Sequence, residues 1–329
     1  MKKSFVFAAL GLTMMATSSL AFAETTIRVT LQLPEKHSLG QNWLAFKKIV
    51  EEKSGGELKV QLFPSAQLYK DKQVPEAVGS GAIEAGSVFL GRYAGAVPEV
   101  EFINLPFLLD SEAKLRAATA PNSGIRKIVD DKILAETGGK VLWWQAYGRN
   151  VYLSHDVGLS NPEDFKGKKV RTYGKILGWT VESLGGAPTL MSGSKQFLAY
   201  QQGAVDVGMT GVSAVKSRKL YEVMNHMTMS YDFAIEFVAV MNNEFFNGLT
   251  KDQQAIVMDA AKVVEKDLRD KIFAEEAEIV EFARDKMTVV DLTPEQRAQY
   301  KAATKSVADR FVQEVGPSAK AIVDAANAL

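Results

Sequence analysis

Few side chains in this sequence could do covalent chemistry. Three histidines, His37, His155 and His226, are scattered through 329 residues, no two of them four apart and none beside a short run of carboxylates. That spacing offers neither a histidine zinc site nor the base of a nucleophilic triad. Cysteine is absent, which removes thiolate nucleophiles, thiolate metal sites, iron–sulfur clusters and structural disulfides. No G-x-S-x-G elbow and no Walker A sequence occurs. The stretch "GSGAIEAG" (79–86) lacks the G-x-G-x-x-G spacing and precedes its strand instead of following it. The acidic pairs Glu51-Glu52, Asp130-Asp131 and Glu275-Glu276 read as solvated helix faces. These residues indicate no catalytic constellation, no cofactor and no metal site.

What remains is arginine and aromatic chemistry. Arg171 lies in "KKVRTY" (168–173), where Val170 and Thr172 face one side of a strand and Lys169, Arg171 and Tyr173 the other. It stands just before a turn at Gly174. Ligands of open α/β sheets bind outside the carboxyl ends of strands. A guanidinium presents a planar fork that matches a carboxylate with two parallel hydrogen bonds. Arg171 is therefore the candidate carboxylate anchor; a surface arginine paired with an acidic residue is the other reading. Arg149 follows the glycine that ends "WWQAYG" (143–148). Trp179 falls off the apolar stripe Ile176, Leu177, Thr180, Val181 and Leu184 of a helix over 175–184, so it faces another element or a cleft.

The elements that must hold these residues follow from periodicity. Alternating Ile27, Val29 and Leu31 predict a strand. A helix over 39–53, with Trp43, Phe46, Ile49 and Val50 on one stripe, stops at Gly55-Gly56. Leu58, Val60 and Leu62 then alternate again. Strand, helix, strand in this span is a βαβ unit and implies a parallel sheet. Further strands are expected over 85–90, 141–147, 150–154, 168–173, 204–211 and 236–246. Thr250-Lys-Asp-Gln253 matches a capping box, and helical periodicity then runs to 286. Unbroken, that helix would be roughly 50 Å long at ~1.5 Å per residue, enough to bridge two lobes; two shorter helices are the alternative. Thr293-Pro294-Glu295-Gln296 caps another helix.

Length and composition set the frame. A chain of 329 residues exceeds what one core usually serves, so two lobes are expected. Lysine plus arginine and aspartate plus glutamate both number 39, which gives no reason to expect a nucleic-acid partner. At the N-terminus, Lys2 and Lys3 precede an apolar run over 5–15 and the A-x-A site Ala21-Phe22-Ala23. Residues 1–23 read as a cleavable signal peptide, and a cysteine-free secreted chain suits the bacterial periplasm.

Several motifs in order resemble the DctP-type solute-binding proteins of tripartite ATP-independent periplasmic (TRAP) transporters. They are "LFPSAQLYKDKQVPEAVGSGAIEAG", "VPEVEFINLPFLL", "PEDFKGKKVR", "LGGAPTLM" and "YQQGAVDVG", and the likeness covers essentially the whole chain after residue 23. The resemblance implies a two-lobed α/β periplasmic binding protein fold, class II-like, with a long helix bridging both lobes. Residues 24–147 with 237–272 would form the first lobe, and 148–236 with 273–329 the second. It implies that Arg171 pairs with a ligand carboxylate, that Arg149 is a second ligand-contacting arginine, and that Thr210 makes a polar contact. Phe89 falls at a first-lobe ligand position and Tyr231 to Phe233 on a segment near the hinge. Thr172-Tyr173, Lys195 and Val207 depart from the family pattern. Phe89, Tyr93, Tyr173, Trp179, Phe233 and Trp144 suggest a pocket rich in aromatics, hence a small or apolar monocarboxylate, aromatic acids included, in preference to a sugar acid. The expected function is capture of that acid and delivery to the small and large membrane subunits of a permease, with no enzymatic step and no cofactor. A periplasmic sensor that presents the acid to a membrane receptor is the alternative.

Overall fold

The protein is described here by a computed structural model covering residues 24–329; the expected signal segment 1–23 lies outside the described residues. Ten strands form the framework: β1 (Thr25–Leu31), β2 (Leu58–Phe63), β3 (Ala85–Phe89), β4 (Gly139–Ser154), β5 (Lys169–Thr172), β6 (Ala187–Leu190), β7 (Val207–Gly211), β8 (His226–Met229), β9 (Ala234–Asn242) and β10 (Thr288–Asp291). Their order is β2-β1-β3-β9-β4-β7-β5-β6, with β8 pairing both β4 and β10. The opening βαβ unit has the expected parallel pairing of β1 with β2; β1 also pairs in parallel with β3, and β5 with β7 and with β6, a short strand that the periodicity did not indicate. Strand β9 runs antiparallel between β3 and β4.

Strand β4 joins the two halves. Its first part, to Arg149, pairs with β9, and its last part, from Asn150, pairs with β7. The two strand segments expected from sequence are thus one strand of 16 residues. Pairing with β9 slips between Val141 and Trp143 and again between Ala146 and Gly148. Each slip reverses which face the following side chains point to. The neighbouring tryptophans, in continuous register, point to opposite faces by ordinary strand alternation: Trp143 packs on Trp43, with ring centroids 4.5 Å apart, whereas Trp144 donates its indole N–H to Asp130 (2.8 Å).

The long helix is single and unbroken, Lys251–Arg284, 34 residues and ~51 Å long. Thr250 and Gln253 close the capping box at its start. Its first half buries Val257, Ala260 and Val264 in the core under β1 and β2. Its second half buries Leu268, Val280 and Ala283 in the core of β4, β7 and their helices. The helix therefore bridges both cores, and buried ion pairs pin it along the way. Arg269 grips both carboxylate oxygens of Glu236 in β9, Glu265 meets Arg126, and Glu276 meets Arg149 of β4 (2.8 Å).

The expected lobe boundaries need correction at the C-terminus. The last helix, Pro317–Asn327, buries Ala319, Ile322 and Ala326 with Ile125, Val129 and Ile133 of the helix Gly124–Thr137, which belongs to the first half of the chain. Its small apolar stripe fits that helix, so the segment 273–329 does not stay with the second lobe throughout.

Breaking one buried pair should show how firmly the long helix is held. Glu236 is only 1% exposed, so Arg269→Ala strands a buried carboxylate and should cost ~3–5 kcal/mol. The double change Arg269→Met with Glu236→Leu removes both charges and should cost much less. Urea unfolding of the two variants checks this; equal losses would mean that the charge itself is not what matters.

Candidate ligand-binding site

Arg171 is the third residue of β5, and the strand ends one residue later. Its side chain is buried, 3% exposed, yet no carboxylate lies within ion-pairing distance among the described residues. Backbone carbonyls hold it instead. Nε and Nη2 donate to Met191 O (3.1 and 2.9 Å), and Nη1 donates to Met209 O (2.6 Å). A guanidinium has five N–H donors, so these three bonds leave one free proton on each terminal nitrogen, the pair that a carboxylate matches in bidentate fashion. Burial pushes the Arg171 pKa below its ordinary value, and the nearby Arg218 pushes it the same way. The aromatic groups of Tyr200 and Tyr173 act against this shift, and Arg171 stacks over the Tyr173 ring at 4.7 Å. Gly208 permits this packing, because a Cβ there would collide with the Tyr200 hydroxyl.

The guanidinium lines a narrow cavity of ≈ 40 Å³, space for about three waters at ~10–15 Å³ each. Phe89, Tyr173 and Thr210, all named from the sequence, line it with Arg171. Phe89 meets Tyr173 edge-on (5.2 Å), and Tyr147 stacks on Phe237 (5.2 Å). Sequence reading missed Tyr147, Gln196, Arg218 and Phe237. Gln196 Nε2 donates to Thr210 Oγ1 (3.3 Å), while Gln196 Oε1 and the Tyr173 hydroxyl are buried without a partner. Asp71 is the one carboxylate on the cavity wall among the described residues. It is already engaged by Arg92 and by the Phe89 N–H. Arg218 has no carboxylate partner among the described residues, so the cavity carries two uncompensated cations. Tyr147 also stacks on His37 (5.1 Å), whose Nδ1 accepts from Leu39 N–H and whose Nε2 faces Ser213 Oγ (3.2 Å). Burial pushes the His37 pKa down to about 3, so this imidazole is neutral.

The other sequence candidates lie elsewhere. Trp179 leaves its own helix's stripe as expected, but it packs under Arg310 (4.0 Å) and Lys175 (4.9 Å), not in the cleft. Tyr93 and Trp144 are core residues. Arg149, Tyr231 and Phe233 line a second cavity. The slip in β4 at Gly148 turns Arg149 away from the Arg171 side. Gly148 is left-handed (φ 117°), and its missing Cβ leaves room for Glu276 to reach the Arg149 N–H.

A buried acid sits where the two halves of the chain meet. Glu101 lies in the helical turn Pro98–Asn104. Asn104 Nδ2 donates to its carboxylate (2.9 Å), the Lys175 backbone N–H lies near it, and Oε1 has no partner. Close by, Arg92 Nη1 donates to Tyr173 O (3.3 Å). Burial raises the Glu101 pKa to about 7 against the opposing pull of these donors and of Arg92 and Lys175.

Comparison with known proteins places this geometry in context. The family model for bacterial extracellular solute-binding proteins, family 7 (DctP), matches residues 30–314. The C4-dicarboxylate-binding periplasmic protein DctP of Rhodobacter capsulatus is 28% identical over 294 residues, 88% of this chain and 87% of that protein. A solute-binding protein of Verminephrobacter eiseniae is 30% identical over 303 residues, 91% and 88% of the two chains. A solved TRAP periplasmic solute-binding protein of Shewanella oneidensis with bound succinate is 25% identical. It superposes with a TM-score of 0.86 over 93% of this chain and 99% of that one. The two-lobed architecture is common to these structures. Among the described residues no helix is long and apolar enough to cross a membrane.

Glu101 gives a pH signature. The unfolded chain releases this proton near 4.5 and the folded chain only near 7, so stability falls as pH rises through that window. At ~1.4 kcal/mol per unit the loss reaches about 3 kcal/mol. Glu101→Gln should be the more stable protein at pH ~8 and should lack this slope. Urea midpoints across the window test it, and parallel profiles for the two proteins would count against it.

Proposed function

The chain belongs to the bacterial extracellular solute-binding proteins of family 7, and from that premise we propose that it captures a small organic acid through the guanidinium of Arg171. Members of the family bind solutes and are not enzymes. One observation carries the reading: a buried cation has two free donors and no carboxylate partner among the described residues. Leaving a buried charge uncompensated is costly, and an incoming carboxylate supplies the missing charge. Phe89, Tyr147 and Phe237 would lie against its carbon skeleton. Arg218 and Gln196 would meet a second acceptor or hydroxyl group. The relative bound to succinate and the relative named for C4-dicarboxylates are in keeping with such a ligand. The aromatic wall favours small acids with an apolar or aromatic body.

The remaining steps follow from the family and from the sequence. The chain would be exported by its N-terminal segment, be cut after Ala23 and act in the periplasm. There it would hand the acid to the small and large membrane subunits of a TRAP permease. Uptake of labelled acid that requires both this chain and those subunits would support delivery; uptake independent of either would refute it.

A thermal-shift screen of succinate, pyroglutamate, benzoate and D-glucuronate identifies the class, since a ligand at 100 times its Kd adds ~2.7 kcal/mol. With the best acid, Arg171→Ala should weaken binding thirty-fold or more, the equivalent of ~2–5 kcal/mol. Arg171→Lys should fail nearly as far, because an ammonium has no fork. Arg218→Gln should cost a diacid more than a monoacid. Calorimetric affinities unchanged in the Arg171 variants would reject the proposal.

A further inference from the structure

The cavity that holds Arg149 is a separate chamber. It measures ≈ 270 Å³, close to the lower end of the ~300–1,000 Å³ typical of small-molecule sites. Ile235 and Phe237 of β9 line the Arg171 cavity and Ala234 lines this one, so the strand separates the two. Its walls come from five places: Arg149 of β4, the start of the helix Glu112–Thr119 with the residues before it, the turn leading into β9, the second half of the long helix at Phe273, and Arg297 on the helix Pro294–Ala303. Phe233, Phe273, Leu109 and Leu115 make it partly apolar.

The charges on these walls do not balance. Glu276 neutralises Arg149. Asp110 is shared by Lys301 (3.2 Å) and Lys114 (3.8 Å), and Glu112 pairs with Arg116 (2.7 Å). Arg297 is left over. It donates to the carbonyls of Ser230 (2.5 Å) and Tyr231 (3.0 Å) and has no carboxylate within pairing distance among the described residues. Two bulky residues held in the left-handed region stand beside the two arginines. Tyr231 (φ 45°) lies under Arg149 at 3.7 Å, and Phe107 (φ 57°) lies under Arg297 at 4.9 Å. Such backbone costs ~1–3 kcal/mol per residue and gathers at ligand sites.

We propose that this chamber is a second binding site, for a small carboxylate with an apolar body. The carboxylate sits on Arg297 and the body lies between Phe233 and Phe273. Occupancy of this site does not depend on Arg171.

Benzoate, followed by ligand-observed NMR on the full chain, tests the proposal in an Arg171→Ala background, which disables the first site and keeps the two readings apart. Benzoate should still bind there. Adding Arg297→Gln should weaken it tenfold or more. Adding Glu112→Trp, an exposed substitution at the chamber's rim, should block entry to a similar degree. If Arg297→Gln proves unfolded by circular dichroism, the Glu112→Trp protein decides. Loss of all benzoate binding in Arg171→Ala alone overturns the second site. So does residual binding indifferent to the rim substitution.

Discussion

A guanidinium kept from water with no negative partner is the constraint around which this molecule is organised. The isolated charge would be unstable in a low-dielectric interior. The protein meets part of that cost with two carbonyl oxygens, one from the loop after β6 and one from β7. Both carbonyls must be aimed at Arg171, which requires β5 to lie between β6 and β7 in register. The parallel sheet of this half is thus more than packing: it is the frame that holds the fork still and leaves its outer edge free.

The same logic runs in reverse along the long helix. There each buried acid meets an arginine: Glu236 with Arg269, Glu265 with Arg126, Glu276 with Arg149. Burial raises the pKa of Glu265 and of Glu276, and the paired guanidiniums oppose that shift. A helix that crosses both cores at ~51 Å needs fixed points where it leaves one core for the next, and these pairs supply them. Compensated charges hold the scaffold, and uncompensated ones mark the places where something else can bind.

Much of this was legible in the residues. Alternation at Ile27, Val29 and Leu31 and the glycine stop after the first helix gave the opening βαβ unit. The capping box at Thr250 with unbroken periodicity gave the bridging helix. The position of Arg171 near a strand's end gave the proposed anchor, and Phe89, Tyr173 and Thr210 do share its cavity. Trp179 shows where such reasoning stops. Its angle on the helix was right, but the partner it meets, Arg310, is 131 residues away in sequence, beyond anything a local pattern can encode. Arg218 carried no local signal either, since a run of charged residues at a helix end looks like ordinary surface.

Local sequence by itself determined many of the elements, though not the short strands β6, β8 and β10 or the helices Glu112–Thr119 and Gly124–Thr137, and it singled out the residue proposed to grip an acid, because periodicity and caps act within a few residues and a guanidinium has the same geometry everywhere. Only the tertiary structure decided which charges were matched. It decided that Arg149 pairs with Glu276 behind β4 while Arg171 and Arg218 face a shared cavity. A single extra residue in the β4–β9 register turns a side chain from one face of the sheet to the other. Register is set by the whole sheet and is not written in any one strand.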